Sequence, residues 1–544
     1  MNGRGSRTGA EALVESLERA GAEVVFGYPG GNVVDIFDCI RTAKFKFVLG
    51  RHEQGCTHMA DGYARATGRP GVVVVTSGPG ATNAVTGLAT ANVDGVPLVL
   101  VSGQVPLSQI GTDAFQEADM TGICRAVTKH SFLVKSADEI PETVAQAFYI
   151  ATHGKPGAVV IDLPKNVQEE MTAATYPERI SLRAYHPEHA ASTAQVNRLA
   201  RLLNEAKRPV IYAGGGVIAA NAAKDVAALA KRANVPVATT LTGIGSFDEN
   251  DPLSLGMAGM YGTFAANAAL AGADLVVALG VRFNDRVTGR DIARYVRRKR
   301  IVHVDCDPSS IEKNVPVELG IVADIKDLLT TVNSRIRPNG HAAWLEQVAA
   351  WKRERPVGYR SLHKDVIMPQ TVVEAVAAAT GGEVILVADV GQHQMWCAQY
   401  FRPAHPRHFL CSGGMGTMGF AIPAAIGAAI ARPDRKVVAV VGDGGAQMTA
   451  EELIVAAEEK LPVTFVVVNN RRLGLVRQMQ EEDFGGRYCA TTIASPDFVT
   501  LARAYGVKGV RVSDPGKLGG AIARAVRAKA PTLVEVLVEP DAKV

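Results

Sequence analysis

The side chains best suited to chemistry form a short cluster near the end of the chain. The tripeptide Gly442-Asp443-Gly444 is separated from the pair Asn469-Asn470 by residues 445–468. A carboxylate and an amide oxygen suit a hard cation such as Mg²⁺, which keeps its other positions for water and phosphate oxygens. The glycines let the backbone approach a diphosphate and direct N–H groups towards it. The pattern therefore predicts a site for Mg²⁺ and a diphosphate.

Two apolar runs, residues 436–441 and 462–468, precede these polar turns and have the length of buried strands. Between them, residues 449–459 predict a helix with Thr449 as its N-cap and acidic residues in its first turn. A strand-helix-strand unit brings both strand ends to one edge of a parallel sheet, where ligands of open α/β folds bind. The alternative is an ordinary crossover with polar turn ends.

A second candidate is Glu53, which follows a short apolar run and opens a helical pattern. A carboxylate at such a junction is most often a partner of the helix dipole. Two glycine-rich turns, residues 26–31 and 76–83, favour a binding role instead, because turns of this kind allow close contact with a ring or an anion.

The bulk composition restricts the class of protein. The chain has 544 residues, of which 47% are apolar and 21% charged, and its net charge is +4. These values are typical of a globular protein of about three domains. The sequence has no basic stripe interleaved with aromatic residues, so we expect no nucleic-acid partner. The apolar runs are too short for a membrane span, and seven cysteines without a CxxC pair favour reduced thiols in the cytoplasm.

Strand-like Val and Leu runs alternate with helical patterns in three blocks, which predicts an α/β fold built from doubly wound parallel sheets. We place the domains at residues 7–172, 190–335 and 366–544. We expect the outer two blocks to be related halves of one cofactor cleft.

Segments spread over nearly the whole chain resemble the catalytic subunits of the acetohydroxyacid (acetolactate) synthase family, which are thiamine diphosphate (ThDP) enzymes. GTDAFQE at 111–117, RFNDRVTG at 282–289 and GQHQMW at 391–396 are specific within that superfamily. The other matching segments are FGYPGG at 26–31, RHEQ at 51–54, TSGPGATN at 76–83, GQVP at 103–106, TKH at 128–130, IDLPKNVQ at 161–168, GMGTMGF at 414–420 and GDGG at 442–445.

The resemblance implies an activity, a set of cofactors and an assembly. The enzyme would decarboxylate pyruvate and ligate the hydroxyethyl group to a second 2-oxoacid. The product would be 2-acetolactate or 2-aceto-2-hydroxybutyrate, at the first common step of branched-chain amino acid biosynthesis. The cofactors would be ThDP, Mg²⁺ and a non-redox FAD, bound by three domains of the pyruvate oxidase/decarboxylase type. Glu53 and Asp443 would meet across a subunit interface, which makes a homodimer the minimum active unit; a tetramer and a small regulatory subunit remain open.

The resemblance also assigns roles to individual residues. Glu53 would share a proton with the aminopyrimidine of ThDP, Met418 would bend the cofactor and the Gly416 carbonyl would receive its amino group. Arg286 would engage the carboxylate of the second 2-oxoacid, a task that suits a planar bidentate donor. The remaining catalytic candidates, beside the reacting carbon or in the funnel that leads to it, are Gly27, Phe115, Gln116 and Lys165.

Further cofactor contacts follow from the resemblance. For ThDP they are Pro79, Asn83, Gly391, Gln392, His393, Gly442, Asp443, Gly444, Gly445, Asn470, Gly474 and Leu475, and Mg²⁺ would be held by Asp443, Asn470 and the carbonyl of Arg472. For FAD they are Gly214, Gly215, Gly216, Thr240, Leu241, Thr242, Gly259, Met260, Tyr261, Gly280, Arg282, Asp305 and Asp324.

Two departures from the family pattern affect the expected specificity. Met479 stands where the family commonly has a tryptophan that shapes the acceptor pocket. A flexible thioether selects shape less rigidly, so we expect a weaker preference for 2-oxobutyrate. The segment after residue 540 is shorter than the family's usual closing arm, so we expect either closure of the site or substrate choice to differ.

Two kinds of alternative remain open. The first is another ThDP lyase, such as a sulfoacetaldehyde acetyltransferase, a glyoxylate carboligase, or a 2-oxoacid decarboxylase or oxidase. Glu53 argues against the glyoxylate carboligase, and Arg286 with Phe115 and Gln116 argues against a plain decarboxylase. The second is a ThDP-fold protein that binds or regulates without catalysis.

Overall fold

Three six-stranded parallel sheets, each flanked by helices, form the framework of the protein. The computed structural model describes residues 6–180, 182–338, 340–361 and 363–544. The predicted α/β class is confirmed. Most strand residues are buried because helices cover both faces of each sheet.

The first unit carries the N-terminal sheet, with the spatial order β3-β2-β4-β5-β7-β6, and a two-stranded antiparallel ribbon, β1-β8. Its strands are β1 (Arg7–Thr8), β2 (Val24–Tyr28), β3 (Lys46–Leu49), β4 (Gly71–Val75), β5 (Leu98–Gln104), β6 (His130–Leu133), β7 (Ala158–Pro164) and β8 (Met171–Thr172). Its helices are α1 (Gly9–Arg19), α2 (Val34–Ile40), α3 (Glu53–Thr67), α4 (Pro79–Asn83), α5 (Val85–Asp94), α6 (Met120–Cys124), α7 (Ile140–Thr152) and α8 (Lys165–Glu169).

The central unit carries a sheet with the order β11-β10-β9-β12-β13-β14. Its strands are β9 (Pro209–Ala213), β10 (Val237–Thr239), β11 (Ser254–Met257), β12 (Leu275–Leu279), β13 (Arg300–Asp305) and β14 (Leu319–Val322). Its helices are α9 (Thr193–Glu205), α10 (Gly215–Ala219), α11 (Ala223–Ala233), α12 (Phe264–Gly272), α13 (Asp285–Thr288), α14 (Ile292–Val296), α15 (Ile325–Asn333) and α16 (Ala342–Glu354).

The third unit carries a sheet with the order β16-β15-β17-β18-β20-β19. Its strands are β15 (Ile385–Ala388), β16 (Phe409–Cys411), β17 (Val437–Gly442), β18 (Val463–Asn469), β19 (Lys508–Val512) and β20 (Thr532–Leu537). Its helices are α17 (Pro369–Thr380), α18 (Gln392–Tyr400), α19 (Ala421–Ala431), α20 (Asp443–Ala446), α21 (Leu453–Glu458), α22 (Gly474–Phe484), α23 (Phe498–Ala504) and α24 (Pro515–Arg527).

The first and third sheets have the same topology. If the strands of each sheet are numbered along the chain without the short ribbon, both follow the order second-first-third-fourth-sixth-fifth. The central sheet instead follows third-second-first-fourth-fifth-sixth, which is the dinucleotide-binding order. The outer units are therefore related in architecture, and each sheet has a point where its strand order reverses.

The helix predicted over residues 449–459 differs from the prediction at its start. Residues Ala450–Glu452 form a 3₁₀ turn, and the α-helix begins only at Leu453. Thr449 occupies the N-cap position of this turn, as predicted, but its side chain makes no capping hydrogen bond. Its hydroxyl instead donates to the Gly419 carbonyl oxygen at 2.8 Å, which ties the start of the crossover to the turn before α19.

Helices α3 and α19 join the first unit to the third. A Cβ atom on Gly62 would lie 2.1 Å from the Ala424 carbonyl oxygen, and one on Gly427 would lie 1.9 Å from the Met59 carbonyl oxygen. Reciprocal glycines thus let the two backbones touch. One apolar cluster continues from the first sheet through both helices into the third sheet.

A buried carboxylate of the third unit binds the start of α3. Glu452 accepts hydrogen bonds from the backbone N–H groups of Arg51, at 3.1 Å, and His52, at 2.9 Å. Burial raises the pKa of Glu452 to about 8, although these N–H donors favour its ionised form. The helix that begins with Glu53 is therefore held by both units.

Within the residue ranges that the structure describes, no helix combines the length and the apolarity needed to cross a membrane. All seven cysteines carry free thiols.

We expect Gly62→Ala to destabilise the protein, because its Cβ would overlap a backbone atom that has little room to move. The melting temperature should fall by several degrees, on the order of 5 °C, as for other overpacked cores. Thermal unfolding followed by circular dichroism measures this change.

The matched control is Gly519→Ala, which lies within α24 and is exposed, with open space around its Cβ position. This change should leave the melting temperature equal or slightly higher, because alanine favours a helix over glycine by about 0.5–1 kcal/mol. Equal melting temperatures for Gly62→Ala and the parent protein would contradict the close approach of α3 and α19.

Candidate active site

The turns at the reversal point of the third sheet hold a buried histidine. The N–H of Gly442, the last residue of β17, donates to Nε2 of His393 at 3.2 Å. A Cβ on either Gly391 or Gly442 would lie 2.7 Å from the imidazole ring. Burial lowers the pKa of His393 to about 3, so its Nε2 is free to accept. His393 therefore fixes the turn that precedes Asp443.

The predicted metal residues lie together beyond β17 and β18. Asp443 is almost fully buried, and its Oδ2 accepts from the Ser495 hydroxyl at 2.7 Å. Burial raises the pKa of Asp443, a cost that a bound cation would offset. Asn470 Oδ1 accepts from the Arg472 N–H at 3.1 Å, which brings those two residues into one tight turn.

The donor set suits Mg²⁺. The described residues contain no group of three or more His, Cys, Asp or Glu side chains arranged to hold a metal. One carboxylate, one amide oxygen and one backbone carbonyl leave positions for water and phosphate, as Mg²⁺ requires. Asp443, Asn470 and Arg472 fit that description.

Helices α18, α20 and α22 begin around this cluster, at Gln392, Asp443 and Gly474. A Cβ on Gly474 would lie 2.0 Å from Gln392 Oε1 and 2.9 Å from Asn470 Nδ2. The starts of α18 and α22 therefore touch beside the metal residues. Backbone N–H groups at helix starts attract anions, so this arrangement fits a diphosphate.

The loop before α19 reaches the same turn. Gly416 has a φ of 69°, and a Cβ there would have only Val390 within 4 Å, which leaves the loop open on that side. The Met418 methyl group lies 3.4 Å from the Cβ position of Gly444. Asp389 accepts from the N–H groups of Gly419 and Ala421, at 3.2 and 3.1 Å, and fixes the loop.

In the first unit, the two glycine-rich turns pack together at the corresponding reversal point. Asn32 Nδ2 donates to the Ser77 hydroxyl at 2.6 Å, between the turns that follow β2 and β4. Asn83, at the end of α4, donates to Glu53 Oε2 at 3.0 Å. Gly80, which follows Pro79 in α4, would place a Cβ 3.2 Å from Glu53 Oε1. Glu53 and Asn83 therefore form one polar group.

The other catalytic candidates of the first unit have varied surroundings. Gln116 has a φ of 62° and packs against Gly78, whose Cβ position lies 2.9 Å from the Gln116 carbonyl oxygen. Strained non-glycine backbone of this kind is concentrated at functional sites. Phe115 beside it is 88% exposed. Lys165 is bound by carboxylates, with Asp35 at 2.6 Å.

Gly27 has a packing constraint of its own. It lies within β2, and a Cβ there would meet the Val74 carbonyl oxygen at 2.1 Å. Packing therefore requires a glycine at this position, and its place beside the reacting carbon stays a prediction.

A cavity of about 390 Å³ lies between the central and third units. Arg286 from α13 lines it, together with Gly416 of the third unit and Leu475 and Met479 of α22. The cavity therefore contains the arginine predicted to bind the acceptor, the loop predicted to contact the cofactor, and Met479, which differs from the family pattern. Of the predicted flavin residues, it is lined by Thr240, Leu241, Thr242, Gly259, Met260, Tyr261, Gly280 and Arg282.

The other predicted flavin residues do not line this cavity, and each has a structural role. Gly214 and Gly216 pack against the backbone of Gly280, with Cβ positions 2.1 and 2.7 Å from its atoms, where the order of the central sheet reverses. Gly215 faces Thr242. A second group lies at other strand ends: Asp324 caps α15, and Asp305 accepts from the Asp307 N–H at 2.9 Å.

Sequence reasoning missed several side chains that hold these turns. They are Ser495 on Asp443, Asp389 on the loop before α19, Glu452 on α3, and Asp94, which accepts from the N–H groups of Gly413 and Gly414. Each joins segments far apart in the chain, so no local pattern indicates the contact. The one available signal was the position of Asp389, two residues before the matching segment GQHQMW at 391–396.

Comparisons with known proteins agree with this geometry. Residues 7–123 match the family described as thiamine pyrophosphate enzyme, N-terminal TPP binding domain. Residues 196–332 match the central domain of that enzyme class, and residues 389–536 match its C-terminal TPP binding domain.

Curated relatives are similar over almost the whole chain. The acetolactate synthase large subunit of Haemophilus influenzae is 44% identical, over 96% of this chain and 92% of the relative. The acetolactate synthase isozyme 3 large subunit of Escherichia coli is 44% identical, over 95% and 92%. The probable acetolactate synthase large subunit of Methanocaldococcus jannaschii is 42% identical, over 98% and 92%. With this identity over nearly its full length, the chain belongs to the acetolactate synthase large-subunit family of thiamine diphosphate enzymes.

Proposed function

We propose that this protein is an acetolactate synthase that decarboxylates pyruvate and ligates the two-carbon unit to a second 2-oxoacid. The observation that carries the proposal is the shared cavity of Arg286, Gly416 and Met479, whose loop continues from Gly416 to Met418 beside the Gly444 turn. A carboligase must hold an acceptor carboxylate over the activated carbon, and both an arginine and the cofactor loop line this cavity.

Glu53 and Asn83 would hold the aminopyrimidine end of ThDP. When bound, ThDP supplies the nucleophilic carbon and the electron sink that decarboxylation of a 2-oxoacid needs. Glu53 would hold and return one proton at the ring nitrogen, and its hydrogen bond from Asn83 at 3.0 Å keeps the carboxylate in one orientation. The Gly416 carbonyl and the Met418 side chain would orient the ring from the other side.

Asp443, Asn470 and the Arg472 carbonyl would hold Mg²⁺, and the starts of α18 and α22 would face the diphosphate. Met418 contacts the Gly444 turn, so the same turn that holds the metal would also support the bent cofactor.

Arg286 would orient the acceptor. Its side chain is 60% exposed, so the guanidinium can form a paired contact with an incoming carboxylate. Held between this arginine and the cofactor loop, the acceptor carbonyl would meet the donor carbon before water does. Phe115, Gln116 and Lys165 would line the approach, and Gly27 would lie beside the reacting carbon.

The cavity residues of the central unit would hold FAD, with Arg282 paired to its phosphates. The reversal point of the central sheet supports a dinucleotide there. In the proposed reaction this flavin carries no electrons.

The assembly and location follow from the same proposal. We propose a homodimer as the minimum unit, with a tetramer as a further assembly. We also propose a small regulatory subunit, because the relatives are named large subunits. The partners would be the small 2-oxoacids pyruvate and 2-oxobutyrate, with neither nucleic acid nor membrane involved, in the cytoplasm. The domain limits 7–172, 190–335 and 366–544 remain predictions.

Glu53→Gln should lower acetolactate formation about 10²–10⁴-fold, because the amide cannot exchange the proton. Acetoin after acid treatment measures the product from pyruvate, ThDP, Mg²⁺ and FAD. The control is Glu142→Gln, the same change on the exposed side of α7, which should keep full activity. Acetolactate formed at the parental rate by Glu53→Gln would refute the assignment, whereas an inactive parent protein would refute the function itself.

Met479→Trp should raise the preference for 2-oxobutyrate over pyruvate as acceptor, because a rigid indole shapes the pocket more closely. One methylene of discrimination corresponds to about tenfold or more, so we expect about a tenfold rise in the ratio of 2-aceto-2-hydroxybutyrate to acetolactate. Products from a mixture of the two substrates give that ratio.

The control for this change is Met171→Trp, at an exposed methionine of β8. It should leave the product ratio as in the parent protein. A strong bias to 2-aceto-2-hydroxybutyrate in the parent protein would contradict the idea that Met479 weakens the preference.

A further inference from the structure

Asp94 is the last residue of α5, and its side chain is completely buried where all three units meet. Its carboxylate accepts from Arg65 Nη2 of α3 at 3.0 Å. It also accepts from the N–H groups of Gly413, at 2.9 Å, and Gly414, at 2.7 Å, in the loop before α19. Arg282 of the central unit lies 3.5 Å from Oδ1. One carboxylate therefore joins the first, central and third units.

Arg282 is attached to α5 by a second contact. Its Nη1 donates to the Val93 carbonyl oxygen at 2.6 Å. The same side chain lines the cavity, two residues after Gly280 at the reversal point of the central sheet. An anionic dinucleotide bound at that reversal point would therefore meet an arginine whose position depends on Asp94.

The loop on the other side of Asp94 is tightly packed. A Cβ on Gly414 would lie 2.4 Å from Val93 Cγ1, 2.6 Å from Arg282 Nη2 and 2.7 Å from Asp94 Oδ1. Arg282 cannot shift towards α5 without displacing this loop, because no free space separates them. The loop continues through Met415 to Gly416, which lines the same cavity.

Helix α5 holds the loop at a second point. The Thr90 and Thr417 hydroxyl oxygens are 2.7 Å apart, one turn before Asp94. The Thr417 N–H also donates to the Ser412 hydroxyl at 3.0 Å. Residues 412–417 are therefore fixed to α5 at both ends, and the position of Gly416 depends on these contacts.

We propose that Asp94 is a positioning residue that couples the two cofactor sites, so that a dinucleotide at Arg282 and ThDP at the Gly416 loop each strengthen the binding of the other. Binding at Arg282 holds the guanidinium against Asp94, which in turn holds the loop in the form that receives ThDP. Such coupling is reciprocal, so the factor must be equal in both directions. The inference rests on the proposed function, because it takes ThDP as the ligand of the loop.

Two titrations of the cofactor-free protein test the coupling without any activity assay. Tryptophan fluorescence gives the Kd of ThDP in saturating Mg²⁺, with and without FAD. Flavin fluorescence gives the Kd of FAD, with and without ThDP. We expect each ligand to tighten the other by about tenfold, within the usual range of site-site coupling. Asp94→Asn should reduce this factor to about one.

Asp61→Asn is the matched control. Asp61 is also fully buried and also paired to Arg65, but the structure gives it no hydrogen bond to the loop or to Arg282. Its variant should keep the tenfold factor even if stability falls. Arg282→Gln, at a partly exposed side chain, is the second variant if Asp94→Asn does not fold. It should reduce the coupling factor to about one when FAD is added at concentrations that offset its weaker binding to this variant.

A factor of one in the parent protein, absence of FAD binding, or a tenfold factor retained in Asp94→Asn or Arg282→Gln would each overturn the proposal. These results would leave the proposed reaction intact as long as ThDP binds. Failure of the parent protein to bind ThDP would overturn the function and the coupling together.

Discussion

The structure depends on the burial of three parallel sheets on both faces. Helices cover the strands, so ligands can reach the strands only at their ends. In each sheet the open place lies at the carboxyl ends of the strands, where the strand order reverses. The turns after β2 and β4, after β9 and β12, and after β15 and β17 occupy those places in the three units. Glu53 lies beside the first reversal point, Gly280 and Arg282 at the second, and Asp443 at the third. Every proposed ligand contact is built around one of these openings.

The first and third units have the same topology but offer different chemical groups. One offers a carboxylate with an amide, Glu53 and Asn83, and the other offers metal ligands and helix starts around Asp443. Packing of α3 on α19 fixes one outer unit to the other within a chain, through glycines that allow backbone contact. Glu452 adds a polar contact at the start of α3, so the position of Glu53 is set by both units.

The sequence was sufficient for the fold class and the family, because short Val-rich runs and glycine-rich turns are local signals. The Asp443 and Asn470 turns were predicted to share a sheet edge, and β17 and β18 are indeed parallel neighbours. Side chains that act at long range were not predictable in this way: Asp94 contacts Gly413, more than 300 residues later. Thr449 shows the same limit. A local rule predicted that it caps a helix, but its hydroxyl donates to the Gly419 carbonyl oxygen. Individual site roles and domain limits remain predictions.

We propose that Glu53 of one subunit and Asp443 of another complete each active site. Heterodimers of Glu53→Gln and Asp443→Asn subunits, purified through two different affinity tags, test it directly. In a symmetric dimer with shared sites, one site would carry both changes and the other neither, so about half of the wild-type acetolactate rate should return. Each homodimeric variant should be nearly inactive. A heterodimer as inactive as the two homodimers would show that each site is completed within one chain and would contradict the account.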